Sequence, residues 1–145
     1  MYQLMNMLLI EDNLGDIRLV EEALRENKLS LNLDVVRDGI EALEYLNHRG
    51  KYADSPTPDL ILLDLNMPRM DGRETLEAIK KDPRFRRIPI VVLTTSSSEE
   101  DVLKSYKSNA NAYITKPVDF EQFIQMINQI KEFWFTIVKL PSNPE

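Results

Sequence analysis

Three short apolar runs punctuate the chain: Met5 to Ile10, interrupted by Asn6, then Leu60 to Leu63, then Ile90 to Leu93. Each is strand-length and ends in polar residues, the pattern of strands covered on both faces. Leu31, Leu33 and Val35 alternate with Asn32 and Asp34, which predicts a more exposed strand, and Ala112 to Thr115 supplies a fifth. Helical spacing fills the intervals. Ile17, Val20 and Leu24 share one face behind Asn13, with Asp16 three residues on as in a capped start. Ala42, Leu43 and Leu46 mark a second helix after Gly39, and Leu76 and Ile79 a third after Asp71-Gly72. Val102, Leu103 and Tyr106 mark a fourth after the polar stretch Ser96 to Asp101. The last begins near Asp119 and aligns Phe120, Phe123, Ile127, Ile130 and Trp134 in one stripe.

Five strands alternating with five helices imply right-handed crossovers and helices on both faces of a parallel sheet. The expected fold class is α/β, a flavodoxin-like (βα)5 doubly wound five-stranded parallel sheet of order 2-1-3-4-5. In such sheets ligands bind beyond the carboxyl ends of the strands. The residues there are acidic and hydroxylated: Glu11 and Asp12 after the first run, Asp64 after the third strand, Thr94 and Thr95 after the fourth, and Lys116-Pro117 after the fifth. With that strand order three carboxylates converge. They repel one another, and a hard divalent cation resolves the repulsion; Mg²⁺ takes one or two carboxylates together with waters and a phosphate. Singly, each residue has a plainer reading: Glu11 and Asp12 as cap or loop polars, Asp64 as the start of a turn, Thr94 as a strand end, Lys116 as a solvated cation.

Composition narrows the class of partner. The chain has 145 residues, a formal charge of −6 and a pI near 4.9, which suits one domain with a protein or small-ligand partner and disfavours nucleic acid or an anionic membrane. No cysteine is present, so disulfides and thiolate metal sites are excluded. With no signal peptide and no apolar window long enough for a span, a cytoplasmic location is expected.

Taken together, Leu9-Ile10-Glu11-Asp12, Asp38-Gly39, Asp59 to Asp64, Asn66-Met67-Pro68, Met70-Asp71-Gly72, Pro89 to Thr94 and Lys116-Pro117 resemble the receiver domain of two-component response regulators, over Met5 to about Gln129. The resemblance implies that Asp64 takes a phosphoryl group from a sensor histidine kinase. It implies Mg²⁺, with Mn²⁺ as a substitute, held by Asp12 and Asp64, by the Asn66 backbone carbonyl, and by Glu11 through a water. Lys116 would pair with a phosphate oxygen, and Pro117 suggests a cis peptide. Thr94 would swing its hydroxyl to the new phosphate while Tyr113 changes rotamer. The phosphate's charge of about −1.5 to −2 would favour one of two arrangements of the surface around the fourth helix, fifth strand and fifth helix.

Some features depart from the receiver pattern. Thr95 stands where receivers often carry Ala or Gly, which would narrow access to the phosphate. The segment Arg49 to Pro58 is longer than a minimal connection and is expected to be a surface loop. His48, the one histidine, is expected on a helix surface. A receiver over residues 1–129 leaves 130–145 as an extension of the last helix and a tail, so a single-domain regulator is expected, read by a downstream protein or passing its phosphate onward. In the tail, Phe133, Trp134, Phe135, Ile137, Val138 and Leu140 surround most of a helical circumference, and an isologous homodimer contact is the preferred use. That tail, with Leu-Thr-Thr-Ser at 93–96, also resembles regulators partnered with cyanobacterial and bacterial phytochromes. Two other classes are weighed. A phosphate-independent interaction module would have lost the acidic pair, the acceptor or the lysine, and none is lost. An aspartyl phosphatase usually carries a second acid two residues after its nucleophile, where this chain has Asn66.

Overall fold

The computed structural model describes residues 5–26, 31–65, 67, 69–94, 112–115 and 119–133. Strands β1 (Met5–Ile10), β2 (Leu31–Val36), β3 (Leu60–Asp64), β4 (Ile90–Thr94) and β5 (Ala112–Thr115) form one sheet with the expected order β2-β1-β3-β4-β5. All four pairings are parallel. Helices α1 (Leu14–Glu26), α2 (Gly39–Leu46), α3 (Gly72–Lys81) and α4 (Phe120–Phe133) are described. The helix expected around Val102, Leu103 and Tyr106 lies outside the described residues, as do Thr95, Pro117 and the tail from Trp134.

The three apolar runs are central strands because both of their faces are covered. Met7, Leu9, Leu60, Leu62, Val91 and Leu93 join Ile17, Val20 and Leu24 of α1 and Phe123, Met126, Ile127 and Ile130 of α4 in one cluster. The alternate residues Leu8, Ile10, Ile61, Leu63, Ile90 and Val92 join Ala42, Tyr45 and Leu46 of α2 and Leu76 and Ile79 of α3 in another. Each fully buried side chain of this kind contributes about 1.5–3 kcal/mol relative to exposure. β2 is an edge, and its burial alternates as its sequence does.

Helix starts are set by side-chain caps. Asn13 Oδ1 accepts from the Asp16 amide at 2.9 Å, Asp119 Oδ1 from the Gln122 amide at 2.9 Å, and Asp71 with Glu74 forms a reciprocal capping box. α2 ends differently from expectation. It stops at Leu46, and His48 lies beyond it with φ 55°, so His48 is a turn residue and not part of the helix surface. Its amide bonds Tyr45 O at 3.1 Å and the Arg49 amide bonds Glu44 O at 3.0 Å, the paired bonds of a left-handed helix terminus. The following segment is anchored. Tyr52, on a 3-10 turn over Gly50–Tyr52, donates its hydroxyl to Glu41 and packs 5.3 Å, centroid to centroid, from Tyr45.

Candidate functional site

Pairing of Ile10 with Leu63 and of Asp64 with Leu93 brings the ends of β1, β3 and β4 to one sheet edge. Glu11 and Asp12 leave β1 there, and Asp64 is the last residue of β3. Ligand atoms of Glu11, Asp12 and Asp64 all lie within 4.8 Å of one another. Glu11 is 0% exposed and Asp64 is 2% exposed, while Asp12 is half-buried. Burying two carboxylates this completely is costly unless something compensates their charge. Glu11 is tied into the scaffold: its amide bonds Val36 O at 2.9 Å, and its Oε2 accepts from the Asn13 amide at 3.3 Å. All-oxygen donors, acidic and closely grouped, fit a hard divalent cation of the Mg²⁺ or Mn²⁺ type.

Of the other residues named from the sequence, Thr94 ends β4, and Tyr113 stands within β5 opposite Val92. Asn66 and Lys116 lie outside the described residues, as do Trp134, Phe135, Ile137 and Val138; Phe133 is the last residue of α4.

Around the acidic group the loops are held by contacts that local spacing did not signal. Arg37, just after β2, donates from Nη2 to the Asp12 carbonyl at 3.0 Å. Asp38 is 4% exposed and caps α2 through Oδ1, which accepts from the Glu41 amide at 2.9 Å. Its Oδ2 accepts from Arg69 Nε at 2.6 Å and also from Arg69 Nη2. Arg69 has φ 59°, a conformation that L side chains adopt at a cost. The Gly39 amide bonds Met70 O at 3.2 Å, and the Gly72 amide bonds Leu65 O at 3.0 Å. Asp38-Gly39 and Met70-Asp71-Gly72 were visible as motifs. What they do, and the two arginines beside them, depends on contacts between strand-end loops far apart in sequence.

Burial pushes the Asp38 carboxyl up, but the Glu41 amide and the Arg69 guanidinium outweigh it and hold the group below the usual carboxylate range. A depressed folded-state value contributes stability that is complete above the unfolded carboxylate value of about 3.9 and is lost as pH falls through the folded one. Wild type is therefore expected to lose stability faster than Asp38→Asn on acidification below about pH 4, so the gap between their urea midpoints narrows. A gap of constant width from pH 6 downward would contradict this.

Among the described residues no helix is long and apolar enough to cross a membrane. The response regulator receiver domain profile matches residues 7–128. Response regulator Rcp1 of Synechocystis sp. is 46% identical over 135 residues, covering 93% of this chain and 92% of Rcp1. Two solved structures superpose closely. The phosphorylated cyanobacterial phytochrome response regulator RcpA is 48% identical with a TM-score of 0.88, covering 97% of this chain and 100% of that one. The Mn²⁺-bound form of Rcp1 is 45% identical with a TM-score of 0.85, covering 95% and 99%. Sheet order, the acidic group at the strand ends and these matches agree: the chain belongs to the response regulator receiver domain family and is a regulator of the two-component type.

Proposed function

We propose that Asp64 is the phosphoryl acceptor and that the donor is a phosphohistidine on a sensor histidine kinase of the phytochrome class. The observation that carries this reading is the convergence of Glu11, Asp12 and Asp64, with ligand atoms within 4.8 Å of one another. A carboxylate oxygen of Asp64 attacks the phosphorus. The P–N bond breaks with its electron pair remaining on the imidazole nitrogen, which takes up a proton, and an acyl phosphate forms on Asp64. When bound, Mg²⁺ neutralises charge on the transferring phosphoryl oxygens and aligns them with the acceptor. Asp12 and Asp64 would hold it with the Asn66 carbonyl, and Glu11 through a water; Mn²⁺ would serve in its place, as it is bound in Rcp1. Lys116 pairs with a phosphate oxygen.

Turnover is limited to the chain's own phosphate, and the output is a changed protein-binding surface. Thr94 turns its hydroxyl to the phosphate and Tyr113 changes rotamer. The backbone register supports this coupling, because Thr94 follows the β4 partner of Asp64 and pairs with Thr115, two residues beyond Tyr113. Phosphotransfer tests the donor class: phosphorylated histidine-kinase domains from phytochromes should lose their label to this chain faster than kinase domains of other sensor classes. Equal rates from all donors would remove the phytochrome assignment.

Residues 1–129 are read as the receiver and 130–145 as an extension that forms a homodimer through Phe133, Trp134, Phe135, Ile137 and Val138. Support comes from the apolar groups that this stretch carries around most of a helical circumference. Because Ile130 is 1% exposed, the informative truncation ends after Phe133. It should sediment as a monomer where the full chain sediments as a dimer, and should still unfold in one cooperative urea transition, at a midpoint that no longer depends on protein concentration. A truncated chain that remains dimeric would exclude the tail.

A further inference from the structure

We propose that the corner between β2 and α2, residues 37–39, is a positioning clamp for phosphoryl transfer that ties the backbone of Asp12 to that of Asp64 through Arg37 and the Asp38–Arg69 pair. This rests on the reading of Asp12 and Asp64 as cation ligands.

The clamp has two arms. On one side Arg37 Nη2 holds the Asp12 carbonyl at 3.0 Å, while the Arg37 amide donates to Glu41 Oε1 at 2.7 Å. The corner is thus fixed to α2 before it reaches across to β1. On the other side Asp38 receives both Nε and Nη2 of Arg69, and the Gly39 amide bonds Met70 O. The next turn passes the constraint on. Gly72 donates to Leu65 O, and a Cβ at Gly72 would sit against the Asp64 carbonyl and 2.5 Å from Leu65 Cα. Segment 69–72 therefore lies directly on the backbone that carries Asp64.

Two details argue for a built connection. Asp38 commits one oxygen to the helix cap and the other to the arginine, so a nearly buried carboxylate serves both jobs at once. Arg69 keeps a left-handed backbone within a segment fixed by the Asp38 pair and the Gly39–Met70 bond, as strained residues persist where their surroundings determine them. Partners that orient cation ligands typically change affinity by 10–100-fold when removed.

The sign of the effect separates positioning from simple electrostatics. Removing a positive charge near a cation site should by Coulomb's law tighten Mg²⁺ binding; removing a clamp should weaken it. The test uses the full chain with Arg37→Gln, Arg69→Gln and Arg69→Lys. Both arginines are exposed, so the core is left alone. Mg²⁺ alone is titrated calorimetrically, and the rate of phosphoryl uptake from acetyl phosphate is followed against Mg²⁺ concentration. Each Gln variant should bind Mg²⁺ about 10-fold more weakly, with the uptake curve displaced to higher Mg²⁺ by the same factor and most of the plateau rate retained. Arg69→Lys should recover part of the loss. Unchanged or tighter Mg²⁺ binding in both Gln variants, beside normal binding by wild type, would overturn the clamp alone. A wild-type chain that binds no Mg²⁺ would overturn the reading of the site and the clamp with it.

Discussion

Asp64→Asn is expected to take up no phosphoryl group from acetyl phosphate or from a phosphorylated kinase, under conditions that label the wild-type chain. The substitution keeps the shape of the side chain and removes the anionic oxygen that the proposed transfer uses to attack phosphorus. Because Asp64 is 2% exposed and grouped with Glu11 and Asp12, the same change removes one of three closely placed negative charges. Two effects on stability accompany the loss of labelling. Without divalent cation the Asn variant is expected to be more stable than wild type, since like-charge repulsion is relieved. With Mg²⁺ at about 100 times its dissociation constant, wild type gains about 2.7 kcal/mol by mass action, and the Asn variant gains much less at the same concentration. Thermal melts with and without Mg²⁺ read both. An Asn variant that is labelled like wild type would transfer the acceptor role to another residue. Equal Mg²⁺ stabilisation of the two chains would remove Asp64 from the cation site.

Gly72→Ala is expected to disturb the structure strongly although it adds a single methyl group. At this position the new Cβ would meet backbone: the Asp64 carbonyl, Leu65 Cα at 2.5 Å and Leu65 C at 3.0 Å. Backbone cannot rotate aside as the end of a side chain can, so either β3 or the start of α3 must shift. Overpacking of this kind costs about 1–3 kcal/mol, which in a domain of this size lowers Tm by roughly 3–10 °C. The shift falls on the proposed acceptor, so phosphoryl uptake is expected to slow even well below Tm. An unchanged Tm would mean that α3 docks with more freedom than these distances imply.

How much of this was legible in the sequence follows from the range of each interaction. Strands covered on both faces leave contiguous apolar runs, and β1, β3 and β4 stand where those runs are, with β3 and β4 one residue longer than the runs because Asp64 and Thr94 still pair in the sheet. Caps are local, so Asn13 and Asp119 could be read from their own neighbourhoods. The acidic group was legible once strand order was assumed, because strand order alone decides which strand ends are neighbours. The end of α2 was not legible. A left-handed terminus usually carries glycine, and here His48 takes that conformation with no residue type to announce it. Tyr52 also escaped notice, since a polar loop gives no sign that one aromatic hydroxyl will reach Glu41. The Asp38–Arg69 pair spans 31 positions and Arg37 reaches back 25 to Asp12. Neither separation is a period of helix or strand, so only the folded loops reveal them.

The proposed function requires that Asp64 carry a transient phosphoryl group in a cation-dependent pocket. The most direct test is the intact mass of the full chain after acetyl phosphate treatment, with Mg²⁺ and with Mg²⁺ chelated, followed by peptide mapping of the modified species. The expected result is one added phosphoryl group, on Asp64, formed with Mg²⁺ and almost absent without it. A phosphoryl group mapped to any other residue, or an equal yield in chelator, would rule out Asp64 as a cation-dependent acceptor.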